Sequence, residues 1–224
     1  MMQSNEIARK RSALYSLFTV AFLYPNKELI KSLKSGDYSK ALRAILKELN
    51  LLEEGAFAVE KINAYATRLN TSELLLDLQK EYTRLFIPSR PEHPAPFCPL
   101  YESVYENGSL MGEAAFQVAR LFYEAGLKKV DEFNLPHDHF ALELEFMSYL
   151  CSKEAEGLEL GNELITTKSK RLQLIMLKEH IGKFSFQLLE SVQAYSQNDF
   201  YTSTASLCKF FLTNEIKHII DIKK

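Results

Sequence analysis

Apolar residues recur along this chain at intervals of three and four and are never sustained in strict alternation, which predicts helices rather than strands. Over residues 4–24, Leu14, Phe18, Ala21 and Phe22 fall on one side, while Ser12, Ser16 and Thr19 draw a polar stripe down another. This is an amphipathic first helix packed in the core, stopped at Tyr24-Pro25-Asn26. Two shorter helices follow at 26–35 and 37–50, split by Gly36 with Asp37 as N-cap. The next covers 53–70, with Phe57, Ile62, Tyr65 and Leu69 apolar. Thr71 or Ser72 caps a helix running to Phe86, whose Leu74, Leu75, Leu78, Tyr82, Leu85 and Phe86 make a broad apolar face.

A loop is expected at 87–106, because five of the seven prolines stand at 88, 91, 94, 96 and 99, and proline removes backbone donors and stops helices. A helix over 109–124 then carries Met111, Ala115, Val118, Leu121 and Phe122 and stops at Gly126. Another starts between 136 and 138 and runs to about Glu154, and three more cover 159–181, 183–197 and 199–219. The expected architecture is an all-α globular domain of about ten helices over 1–224. Lobes 1–127 and 128–224 are the division that the linker at 127–134 allows, and a monomer or a dimer exchanging helices is expected.

Composition is that of an ordinary soluble domain, 46% hydrophobic and 25% charged, with few glycines. A net charge of −2 gives no general affinity for nucleic acid. The distribution of charge says more. Residues 91–119 contain no Lys or Arg but have Glu92, Glu102, Glu106 and Glu113. Residues 130–152 again lack Lys and Arg but have Asp131, Glu132, Asp138, Glu143 and Glu145. If the two windows adjoin, they form a negative surface suited to a cationic partner; otherwise they are solvated faces. Cys98, Cys151 and Cys208 stand alone, which fits a reducing cytoplasm. Arg9-Lys10-Arg11 before an apolar stretch has the outline of a signal peptide, but no small-residue cleavage site follows. No apolar run has the length of a membrane span, so stable membrane insertion is not expected.

Three chemistries compete for the loop and the turn Leu135-Pro136-His137-Asp138-His139. A small metal- or nucleotide-dependent enzyme would centre on His137, Asp138, His139 and Glu143, the last one helical turn beyond His139. However, the chain has no His-Glu-x-x-His, no nucleophile elbow and no glycine-rich phosphate loop. A peptide-binding site would use Phe97, Leu100, Tyr101 and Tyr105 interleaved with Glu102 and Glu106, an apolar groove beside acids. Alternatively, Tyr101 and Tyr105 anchor the loop to the core. An interaction module without peptide recognition is the third reading.

Several ordered segments resemble the TorD/DmsD/NarJ family of redox-enzyme maturation chaperones over roughly residues 75–212. They are Glu81-Tyr82-Thr83-Arg84-Leu85-Phe86, Pro88, Tyr101-Glu102-Ser103-Val104-Tyr105, Leu110-Met111-Gly112, Phe122-Tyr123-Glu124-Ala125-Gly126-Leu127 and Pro136-His137-Asp138-His139-Phe140-Ala141-Leu142-Glu143. Glu179-His180-Ile181 and Asn198-Asp199-Phe200-Tyr201 fit more loosely. The resemblance implies a non-catalytic, cofactor-free cytoplasmic chaperone. It would bind the twin-arginine signal peptide, or another part, of a molybdenum-cofactor oxidoreductase catalytic subunit until its cofactor is inserted. By motif match the peptide-binding positions are Leu85, Phe86, Tyr101, Glu102, Ser103, Pro136, Asp138 and His139. Tyr105 and Glu143 join them as neighbours in the same segments. Leu135 stands where the family has an acid, and with no tryptophan in the chain Phe184 stands where one is expected.

Overall fold

The periodicity is realised as eleven α-helices among the described residues, which are 3–88, 96–127 and 135–221 of this computed structural model. They are α1 (Ser4–Phe22), α2 (Lys27–Lys34), α3 (Asp37–Glu48), α4 (Leu52–Arg68), α5 (Thr71–Phe86), α6 (Glu102–Asn107), α7 (Glu113–Glu124), α8 (Phe140–Leu160), α9 (Glu163–Ile175), α10 (Ile181–Tyr195) and α11 (Asp199–Asp221). A π-helical turn, Met176–His180, joins α9 to α10. No strand occurs among the described residues, so the all-α expectation holds.

Helix ends follow local chemistry, with shifts from the sequence reading. Asn70, rather than Thr71 or Ser72, caps α5, in a reciprocal box with Glu73. Asp37 is the first helical residue of α3, after Gly36. α8 continues past Glu154 to Leu160 and ends at Gly161, whose φ of +64° only glycine adopts without strain. α6 lies inside the expected loop: prolines cease at Pro99, and six helical residues fit before Gly108. Met111 precedes α7 instead of lying within it. On α4, Val59, Ile62, Tyr65 and Ala66 are buried and Phe57 is exposed. Five residues separate Phe57 from Ile62, and about 100° per residue carries Phe57 around to the opposite side.

The chain forms two compact units. The first comprises Met1–Thr19, Leu100–Ser185 and Glu215–Lys224; the second comprises Val20–Pro99 and Phe186–Asn214. In the first, α8 is the central element: Phe140, Leu144, Phe146, Met147, Leu150, Cys151 and Ala155 are all buried. Its first turn, from Phe140 to Leu144, is buried on every side, while Glu145, Ser152 and Glu159 reach solvent further along, and α9 packs along it. Leu14 and Phe18 of α1 are fully buried in the same unit. In the second unit, α2 packs on α4 and α5, and α3 on α4, around an aromatic cluster of Phe22, Tyr82, Phe86 and Tyr201.

Candidate functional site

Within the first unit, two segments more than thirty residues apart are stitched by backbone bonds. Tyr101 and His139 form an isolated antiparallel bridge. Phe140 N donates to Leu100 O at 2.7 Å, and Glu102 N donates to Asp138 O at 3.0 Å. The N-cap of α6 is Tyr101, which supplies no side-chain acceptor. Asp138 supplies one from the other segment, its Oδ2 accepting from Ser103 N at 3.0 Å. A carboxylate at a helix start satisfies an orphan donor and complements the helix dipole. The cap of α8 is His139, and Asp138 serves α6 instead: His139 Nδ1 accepts from Ala141 N at 3.2 Å. The Tyr101 ring meets the His139 ring edge-on at 5.0 Å. His137 sets its edge against Phe122 at 5.2 Å, and Pro136 O accepts from His139 N.

Burial changes the electrostatic picture. Glu102, Ser103, Asp138 and Glu143 are 0% exposed. The acid-only windows therefore do not make one negative surface: Glu102, Asp138 and Glu143 are interior, while Glu106, Glu113 and Glu145 are exposed. Glu92, Asp131 and Glu132, with the linker residues 128–134, lie outside the described residues. Desolvation raises the Glu143 carboxyl well above its ordinary range, and the neighbouring Glu102 adds to the shift. Neither Glu143 oxygen receives a donor from the described residues. Beside the Glu102 carboxylate it bonds only as an acid, giving its own proton. Burial also depresses His139 to about 4, so its imidazole is neutral and its Nδ1 lone pair is free to cap α8.

The titration of Glu143 predicts a pH effect with a definite sign. The native fold holds a proton that the unfolded chain releases above about 4.5, so stability falls as pH rises. Glu143→Gln keeps a donor for Glu102 and removes that loss. In urea titrations at pH 5 and pH 8 the variant should gain on the native protein as pH rises, by up to about 1.4 kcal/mol per pH unit.

The sequence reading left out His180. Its Nδ1 lies 3.0 and 3.2 Å from the two Glu102 oxygens, donating to the carboxylate, and the side chain is buried. The π turn that carries His180 depends on Gly182. A Cβ there would stand 2.2 Å from Leu177 O, the crowding expected where a helix widens to admit an extra residue. The helix break expected at 181–183 is thus a widening of one continuous run. The available signals were a glycine inside a helical pattern and the loose family match at Glu179-His180-Ile181.

Tyr105 packs its ring 5.5 Å from Phe184, which in turn meets Phe140 at 5.8 Å. Leu85 and Phe86 lie in the second unit, both buried. Phe86 meets Tyr82 and Tyr201 edge-on, and Leu85 O accepts from Cys98 N at 2.9 Å. The structure thus joins Tyr101, Glu102, Ser103, Asp138, His139 and Glu143 with His180 in one corner of the first unit. Among the described residues, no group of three or more His, Cys, Asp or Glu is arranged to hold a metal ion. His139 Nδ1 is committed to its cap, and burial beside Glu102 favours the neutral form of Glu143, a poor metal ligand.

The sequence pattern of the nitrate reductase delta subunit family matches residues 37–190. The chain is 25% identical over 223 residues to the chaperone protein TorD of Vibrio cholerae, covering 99% of this chain and 97% of that protein. It is 25% identical over 209 residues to the chaperone protein TorD of a Shewanella species, covering 92% of each. A crystal structure assigned to a redox enzyme maturation protein from Archaeoglobus fulgidus superposes with a TM-score of 0.54 at 26% identity. That match covers 92% of this chain and 93% of the other.

Proposed function

The chain belongs to the nitrate reductase delta subunit family, whose relatives here are chaperones rather than catalysts, and from that premise we propose that it chaperones the maturation of a molybdenum-cofactor oxidoreductase in the cytoplasm. It holds the catalytic subunit's twin-arginine leader, or its apoenzyme, until the cofactor is in place. Among the described residues no helix is long and apolar enough to cross a membrane, and the three free cysteines suit a reducing compartment.

One observation carries the reading: the Tyr101-Glu102-Ser103 and Pro136-His137-Asp138-His139 segments are bonded together through Asp138. Buried as they are, Glu102, Asp138 and Glu143 cannot pair with a client's arginines from their present positions. Their part is to fix the backbone from Leu100 through α6, so that exposed side chains borne by that backbone meet the client in one arrangement. Preorganisation of this kind raises affinity by removing the ordering cost from the binding step.

The test titrates synthetic leaders copied from the source organism's molybdenum-cofactor oxidoreductases into the full chain by calorimetry. One leader is expected to bind. Changing its paired arginines to lysines should weaken binding, because lysine lacks the planar fork that matches a carboxylate. If neither a leader nor a cofactor-free catalytic subunit binds, the proposed function is wrong.

A further inference from the structure

The corner leaves open which surface touches the client. In the first unit, exposed large apolar side chains gather on one stretch: Leu110 at 55%, Met111 at 60%, Phe116 at 55% and Tyr123 at 75%. Phe116, Ala119, Arg120 and Tyr123 follow the i, i+3, i+4, i+7 spacing of one helical face. With Glu113 they line a shallow cavity of about 390 Å³. The inward side of α7 already buries Ala114, Ala115 and Val118. α7 thus carries a second apolar face that its own fold does not use, and clustered exposed apolar side chains of this kind mark interaction surfaces.

Resting on the function proposed above, we propose that the outer face of α7, with the turn at Leu110 and Met111, is the docking surface for the client leader's arginines and apolar run. Charge selects this occupant. Between Pro96 and Ala119 the exposed charged residues are Glu106 and Glu113, with no Lys or Arg. Of the two, Glu113 lines the cavity and presents its carboxylate to a cation beside the apolar strip, and arginine binds carboxylates through paired N–H donors. Arg120 stands seven residues beyond Glu113, about 10 Å along the helix. It repels a cation at that end, so the leader's arginines sit toward Glu113 and its apolar run passes over Phe116 and Tyr123. The leader therefore runs parallel to α7.

The experiment uses the full chain and the same leader peptides, each with one tryptophan placed in its apolar run. The protein has no tryptophan of its own, so peptide fluorescence reports binding without background. Phe116→Ser with Tyr123→Ser should weaken binding about tenfold or more, the loss expected when two side chains no longer bury apolar area. Glu113→Gln should weaken it about threefold and flatten its salt dependence. All these side chains are exposed, so thermal unfolding should stay within a degree or two of the native protein. Equal binding by native protein and double variant overturns the α7 surface while leaving the chaperone function standing. A native protein that binds no leader removes the occupant, and with it this inference. A native dimer in sedimentation that the double variant dissociates makes a second copy the occupant, and overturns the proposal.

Discussion

Arg11→Ala is expected to lower unfolding free energy by about 3–5 kcal/mol in urea titration, the usual cost of leaving buried charges without their partner. Arg11 is 8% exposed. Its Nε and Nη2 grip Glu215 at 2.8 and 2.7 Å, its Nη1 reaches Glu154 at 3.0 Å and its Nη2 also reaches Gln173 at 2.8 Å. Gln173 in turn donates to Glu154, and Tyr15 Oη donates to Glu215. One guanidinium thus ties together α1, α8, α9 and α11 inside the first unit. Without it, the buried Glu215 loses its guanidinium partner, and Glu154 keeps Lys170 at 3.5 Å. The loss would consume much of the roughly 5–15 kcal/mol by which a domain of ordinary stability is folded. The double change Arg11→Met with Glu215→Leu should recover part of it, because an apolar pair removes the unpaired Glu215, while Glu154 still lacks the guanidinium. A single-variant loss below about 1 kcal/mol would show that the network is spectator to stability.

His139 should give the protein an acid-sensitive limb. Its folded value of about 4 lies below the ordinary 6.5, so the unfolded chain takes up a proton that the native fold refuses. Stability is present in full above 6.5 and is lost as pH falls toward 4. Each pH unit in that window removes about 1.4 kcal/mol, about 3 kcal/mol in all. Glu143 acts in the opposite sense above about 4.5, so the profile is to be read against a Glu143→Gln background. His139→Asn keeps a good N-cap acceptor for Ala141 N and does not titrate. Its stability between pH 7 and pH 4.5 should be flatter than that of the parent. Parallel curves would mean that His139 is not the group responsible.

How far the sequence reached is best seen in particular residues. Leu14, Phe18, Ala21 and Phe22 were expected in the core from helical spacing, and each is 0% exposed. Leu74, Leu78, Leu85 and Phe86 are buried as read. The family motif drew attention to Tyr101, Asp138 and His139, which do meet. The acids were misread. Glu102 and Glu143 looked like surface charge because hydrophobic periodicity counts any carboxylate as polar, whatever its partner. Arg9 and Arg11 were alike in sequence, yet Arg9 is exposed and pairs with Glu159, while Arg11 is interior. Nothing local separates them.

Taken alone, the amino-acid order settled helical content, most helix ends and most of the apolar faces. All of these depend on interactions within a turn or two of helix, where spacing, proline, glycine and capping side chains act directly. Tertiary structure decided which ionisable groups go inside. A buried charge is tolerable only where another part of the chain supplies its counter-charge or its proton. Those partners stand far away in sequence: 204 residues separate Arg11 from Glu215, and 78 separate Glu102 from His180.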